Sequence, residues 1–182
     1  ITEEVLTTSS VENLRMIEEF TNGDLLTVPS IGEVYHLAGK KVLAVSSADS
    51  GGSSFLLNHK GLGGGVIGTG LINPEKMTDH VLEVLGPVPG DSRLATLRNA
   101  WAVNAYLELG LNEIEPDLTF MWLTDPDHTA HSFGIGAPET DQALRELDGE
   151  IGRILDRHIK LGLEDSINII VTADHGFSTH DN

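Results

Sequence analysis

The apolar positions fall into short runs of two kinds, and each kind predicts an element. Leu14, Ile17 and Phe20 recur at helical spacing and predict a short amphipathic helix, closed by a turn at Asn22-Gly23. Ser30 is placed to cap a helix running to about Leu37, with Gly39 stopping it. Val42-Leu43-Ala44-Val45 is different: it is continuous and β-branched, as in a strand buried on both faces. A loop of small residues from Ser46 to Ser54 follows, then Phe55-Leu56-Leu57. A glycine-rich stretch, Gly61 to Gly70, leads to Pro74, which suits a first helical turn.

Helices are predicted from about Glu75 to Leu85 and from about Ser92 to Leu109, parted by Gly86-Pro87-Val88-Pro89-Gly90. Leu118 to Leu123 reads as a second buried strand. Pro138 opens the clearest helix, with Leu144, Leu147, Ile151, Ile154, Leu155, His158 and Ile159 forming one apolar face. Ile167 to Val171 reads as the last strand. Strands alternating with helices, each strand a near-continuous apolar run, predict an α/β fold with a mostly parallel sheet and helices on both faces. Ligands in such folds sit beyond the carboxyl ends of the strands.

Charge narrows the function. The 182 residues carry 28 Asp and Glu against 11 Lys and Arg, a formal net charge of −17. Binding to a nucleic-acid duplex needs a basic face and is disfavoured. An anionic small molecule remains acceptable if bound divalent cations reverse the local potential. There is no cysteine, so disulfides, thiolate metal sites and a cysteine nucleophile are excluded, and any metal site must draw on carboxylates and the eight histidines. No apolar run approaches the roughly 18 residues of a membrane span, and no signal peptide opens the chain. The compartment stays open, with the cytoplasm as the default. So does the oligomeric state.

Two segments carry candidate chemistry, each directly after a predicted strand. In Thr124-Asp125-Pro126-Asp127-His128-Thr129-Ala130-His131, a helical turn after Pro126 would bring Asp127 and His131 onto one face, able to chelate one ion. The bland alternative is a polar surface loop with Asp127 as a helix cap. In Thr172-Ala173-Asp174-His175-Gly176, the adjacent Asp and His can share an ion if the chain turns sharply, and Gly176 permits that turn. Here the alternative is an Asx-type turn with an exposed histidine. Imidazole with carboxylate suits zinc, with manganese and iron as alternatives. Two such pairs at two strand ends point to a two-metal site, which stabilises attacking and leaving oxygens in displacement at phosphorus.

Three further features carry less. Gly63 to Gly68 satisfies G-x-G-x-x-G, but no helix starts at once after it, so a flexible surface loop is the preferred reading. Ser46 to Gly52 could touch a substrate from a strand end, but a solvated connection is the preferred reading. Trp101 and Trp122 are read as core, and His36, His59, His80 and His158 receive no role.

The segments W-L-T-D-P-D-H-T-A-H-S-F-G (Trp122 to Gly134), G-A-P-E-T-D-Q-A-L-R-E-L-D-G-E-I-G-R-I-L (Gly136 to Leu155) and I-I-V-T-A-D-H-G-F-S-T (Ile169 to Thr179) resemble the type I phosphodiesterase/nucleotide pyrophosphatase family of the alkaline phosphatase superfamily. Thr27 to Ser47 is similar to the same family, so the resemblance runs from about Leu25 to Asn182. It implies a three-layer αβα sandwich and two divalent ions. Asp127 and His131 would bind one ion, and Asp174 and His175 the other. Asp125, where relatives often have Glu, would stand outside the ligand set, and His128 fills a variable position.

The resemblance also implies pieces not found here: an amino-terminal strand with a metal-binding Asp, a Thr or Ser nucleophile opening a helix, and a later metal-binding His. His180 lies too close to the second motif to take that last part. The chain is therefore expected to be a single catalytic-domain fragment, incomplete at both ends and inactive alone, from an enzyme acting on phosphodiesters, phosphoanhydrides or nucleotides. Phosphomonoesterase, sulfatase or phosphonate hydrolase activity, a non-catalytic metal-binding module, and dinucleotide binding are the alternatives.

Overall fold

The computed structural model describes residues 6–90 and 92–178. Its centre is β1 (Val42–Ser46), all five residues buried, which pairs in parallel with β2 (Gly63–Gly68) on one side and β4 (Leu118–Trp122) on the other. The two-residue β3 (Ile72–Asn73) adds antiparallel to β2, giving a four-stranded sheet in the order β3-β2-β1-β4. The architecture is the mixed α/β, mostly parallel one expected.

The helices cover both faces. α2 (Ile31–Leu37) and α3 (Gly52–Leu57) pack against β1 and β2. A 3₁₀ turn (Glu75–Met77) leads into α4 (Thr78–Leu85), and α5 (Thr96–Asn104) runs directly into a π-helical segment, residues Ala105–Ile114. Leu43, Val45 and Ile67 of the sheet meet Val81, Trp101, Val103, Tyr106, Leu107 and Leu109 from these helices in the main core. Val42, Ala44 and Val66, equally buried, alternate with that set and so face α2 and α3. α1 (Val11–Phe20) packs on α3, buries Leu14, and is capped by Ser10. Ser30 and Glu33 close a capping box on α2. α6 (Asp127–Phe133) and the 24-residue α7 (Pro138–Leu161) complete the chain's helices among the described residues. Of these helices, none is long and apolar enough to cross a membrane.

The sequence expectations fail where local pattern and tertiary contact disagree. Gly63–Gly68 is a buried central strand and no surface loop, and Ser46 to Ser54 ends early because Gly52 already begins α3. Glycine is what lets β2 close on its neighbours: a Cβ on Gly64 would lie 2.5 Å from the Val42 carbonyl oxygen. α5 starts later than Ser92 because the preceding loop docks on α6. There His128 Nε2 donates to the Ser92 carbonyl (2.8 Å), and the Arg93 guanidinium donates to Ser132 O (3.3 Å) and lies over the Phe133 ring.

β4 is an edge strand and only half-buried, so Trp122 is 43% exposed where a core residue was expected, whereas Trp101 is in the core. α7 turns only part of its predicted face inward. His158 is buried and Ile154 packs against the main core, but Thr140 and Ala143 are buried as well while Leu144, Leu155 and Ile159 stay exposed. Its orientation is set by polar anchors: Tyr106 to His158 Nε2 (2.8 Å), Arg153 to Asn104 (2.6 Å) and Arg157 to Asn112 (2.8 Å). Ile167 to Val171 forms no strand; it pairs with no neighbour in the sheet, and Ile170 is 88% exposed.

Candidate metal centre

The first candidate segment leaves the carboxyl end of β4 and turns into α6, as the pattern required. Asp125 makes that turn. It is 3% exposed, and its Oδ1 accepts from the Thr129 amide (3.2 Å) and the Thr129 hydroxyl (2.6 Å). Its side chain thus satisfies one of the free amides of the first helical turn, the task the bland alternative gave to Asp127. Asp127 instead occupies the first helical position. With capping done by Asp125, Asp127 is released for other contacts.

Asp127 and His131 stand one turn apart, with His131 Nε2 3.6 Å from Asp127 Oδ1. The segment after α7 returns to the same place. His175 Nε2 lies 3.7 Å from Asp127 Oδ1 and 3.6 Å from Asp174 Oδ2. Phe177 packs edge-on against the His131 ring, centroids 4.7 Å apart. All four predicted residues therefore gather at one location, and Asp127 is about as near to His175 of the second pair as to His131 of its own. His180 falls outside the described residues. His128 points away, toward Ser92.

Two observations bear on whether a divalent ion fits here. Asp127 Oδ1 is buried and has no hydrogen-bond partner, since separations of 3.6 and 3.7 Å exceed hydrogen-bonding range. An orphaned carboxylate oxygen between two imidazole nitrogens is the donor chemistry a zinc-like ion takes. The spacing is wide, however. Donors about 2.0–2.1 Å from a tetrahedral ion stand roughly 3.3 Å apart, and among the described residues no group of three or more His, Asp or Glu is arranged to hold an ion. The fit is thus one of donor type and of pairs.

Electrostatics point the same way. His175 Nδ1 donates to the Gly176 carbonyl (2.8 Å). That bond first, then the Asp174 and Asp127 carboxylates, holds the imidazole above its ordinary value. The same negative field that favours a proton on Nε2 favours a cation in its place.

Sequence reasoning missed two residues behind the site, Ser47 and Asn99, both buried. Asn99 Nδ2 donates to Asp125 Oδ2 (3.0 Å), and Ser47 Oγ donates to Asn99 Oδ1 (2.6 Å). A signal was available for Asn99: an asparagine inside a helix competes with the backbone for hydrogen bonds and needs a reason to be there.

A profile of the type I phosphodiesterase / nucleotide pyrophosphatase family matches residues 39–182. The chain belongs to that family. It is 33% identical over 69 residues to human ectonucleotide pyrophosphatase/phosphodiesterase family member 7, covering 38% of this chain and 15% of that protein. Human family member 1 is 33% identical over 91 residues, covering 50% of this chain and 9% of its own length. The Bos taurus bis(5'-adenosyl)-triphosphatase ENPP4 is 35% identical over 74 residues, covering 37% and 16%. These matches span only a small part of the relatives' lengths. No solved structure matches.

Proposed function

We propose that this chain carries the metal-binding core of a two-metal phosphoester hydrolase of the phosphodiesterase/nucleotide pyrophosphatase type. Asp127 and His131 serve one ion, and Asp174 and His175 the other. The observation that carries this reading is the approach of His175 to the orphaned Asp127 oxygen, which unites two motifs distant in the chain at the carboxyl end of the sheet. The ions, zinc or alternatively manganese or iron, would neutralise charge on a phosphoryl group and lower the pKa of a bound water.

This chain's own residues bind and orient. α6 holds Asp127 and His131 at a fixed separation of one turn. The Gly176 bond leaves His175 Nε2 facing the two carboxylates. The attacking group, a Thr or Ser, is not assigned among these 182 residues. A substrate with a phosphoanhydride or phosphodiester fits the family. Relatives named for nucleotide pyrophosphatase and bis(5'-adenosyl)-triphosphatase activity support a nucleotide as one arm of it. With a net charge of −17, the protein would otherwise repel such an anion, so binding should depend on the ions.

The test is hydrolysis of a bis-aryl phosphate, a mono-aryl phosphate and an aryl sulfate by the purified parent protein that contains this chain, with and without zinc. Preferential, zinc-dependent cleavage of the diester is expected. Preference for the monoester or the sulfate would move the assignment to a phosphatase or sulfatase. Zinc binding with no hydrolysis of any ester would leave a non-catalytic metal-binding module.

A further inference from the structure

The buried hydrogen bonds behind the metal centre run through three elements. Ser47 follows β1, Asn99 sits inside α5, and Thr124 and Asp125 follow β4; Ser47, Asn99 and Asp125 are each 3% exposed or less. The Thr124 amide donates to Ser47 Oγ (2.9 Å) and, more weakly, to Asn99 Oδ1 (3.3 Å). The Ser47 amide donates to the Trp122 carbonyl (3.0 Å), stitching the carboxyl ends of the two strands together. The partners also fix which way the Asn99 amide points: its oxygen must face the Ser47 hydroxyl and its nitrogen the Asp125 carboxylate. Asp125 then passes the constraint on through Thr129, which is fully buried, to the first turn of α6.

From this we infer that Asn99 is a positioning residue for the metal ligands Asp127 and His131, acting through Asp125. The inference rests on the ligand assignment proposed above. It adds a named device: α5, which contributes no ligand, sets where α6 begins and therefore where both donors stand. A buried carboxylate depends on its donors, so losing the Asn99 donor disturbs Asp125 strongly.

The chemistry supplies a reversible test. Asn99→Asp is nearly isosteric but replaces the donor with a second carboxylate facing Asp125. Adding Asp125→Asn to it restores one donor and one acceptor at that contact, in reversed order. It keeps acceptors for Ser47, Thr124 and Thr129, and returns the net charge to its starting value. Cobalt(II) titration of the metal-free protein, followed by its visible absorption, reads affinity and ligand geometry together. Asn99→Asp should weaken cobalt binding roughly 10–100-fold and alter the spectrum. The double variant should recover both. An unaltered affinity and spectrum in Asn99→Asp, or no recovery in the double variant, overturns the inference. If the wild-type protein binds no cobalt, the metal assignment itself fails, and amide exchange at Thr129 in the metal-free protein decides the positioning claim separately. Faster exchange in Asn99→Asp that the double variant reverses supports it; equal exchange in all three overturns it.

Discussion

His175 Nε2 stands 3.7 Å from Asp127 Oδ1, although the whole of α7 separates the two residues in the chain. That approach makes one location out of two motifs, so the two residues should be energetically coupled when an ion is present. Asp127→Ala and His175→Ala are each expected to reduce zinc bound per chain in equilibrium dialysis with metal analysis. The double variant should lose less than the sum of the two. Strict additivity would show that the motifs act independently and would count against a shared centre.

Glu33 stands in the first turn of α2, accepting from Lys60 (2.6 Å) and from the amide and hydroxyl of Ser30. The Lys60 bond first, then the Ser30 amide, brings its carboxyl down to about 2 from the ordinary 4.5. A lowered carboxyl contributes stability that is present above 4.5 and is lost as pH falls from there toward 2. Thermal melting as a function of pH should show this loss in the wild type and a shallower acid limb in Glu33→Gln. At neutral pH, Ser30→Ala should cost about 1 kcal/mol, the usual worth of such a cap.

Tyr106 and His158 form the buried anchor under α7. Burial pushes the tyrosine hydroxyl up and the imidazole down, which favours the neutral form of each. Tyr106→Phe leaves His158 Nε2 without its partner and should destabilise by about 1–3 kcal/mol in urea unfolding. Because the His158 value is lowered in the folded state, its contribution is whole above the ordinary 6.5 and declines as pH drops below it. A His158→Leu variant should lose that part of the pH dependence.

The glycines of β2 should resist substitution. A Cβ on Gly65 would overlap the Asn73 carbonyl, and the residue already holds φ +76°. Gly65→Ala is expected to cost roughly 1–3 kcal/mol in urea unfolding, from backbone strain and forced displacement of β3. Gly149→Ala, on α7 with nothing within 4 Å of its added carbon, should be neutral or mildly stabilising by comparison.

What the sequence determined by itself was local chemistry. The two Asp/His pairs, the helical turn that follows Pro126, the capping box at Ser30 and the buried β1 run are written in spacings of a few residues, because helix and strand periodicity act over that range. The family followed from the same short motifs. Tertiary structure decided the rest. Gly63 to Gly68 looks like a loop until β1 and β3 lie against it and leave no room for a Cβ at Gly64 or Gly65. α7 shows a clear apolar stripe, yet only part of it, with His158 and Ile154, turns inward, because the buried Tyr106–His158 bond and the polar contacts to Asn104 and Asn112 fix the helix while Leu144, Leu155 and Ile159 stay exposed. Ile167 to Val171 has the composition of a strand, but a strand exists only where a neighbour supplies its hydrogen bonds. The candidate site divides along the same line. Asp127, His131, Asp174 and His175 can be picked from sequence as candidates, whereas their approach to one another, and the hydrogen bonds of Ser47 and Asn99 behind them, depends on contacts between elements that no short pattern encodes.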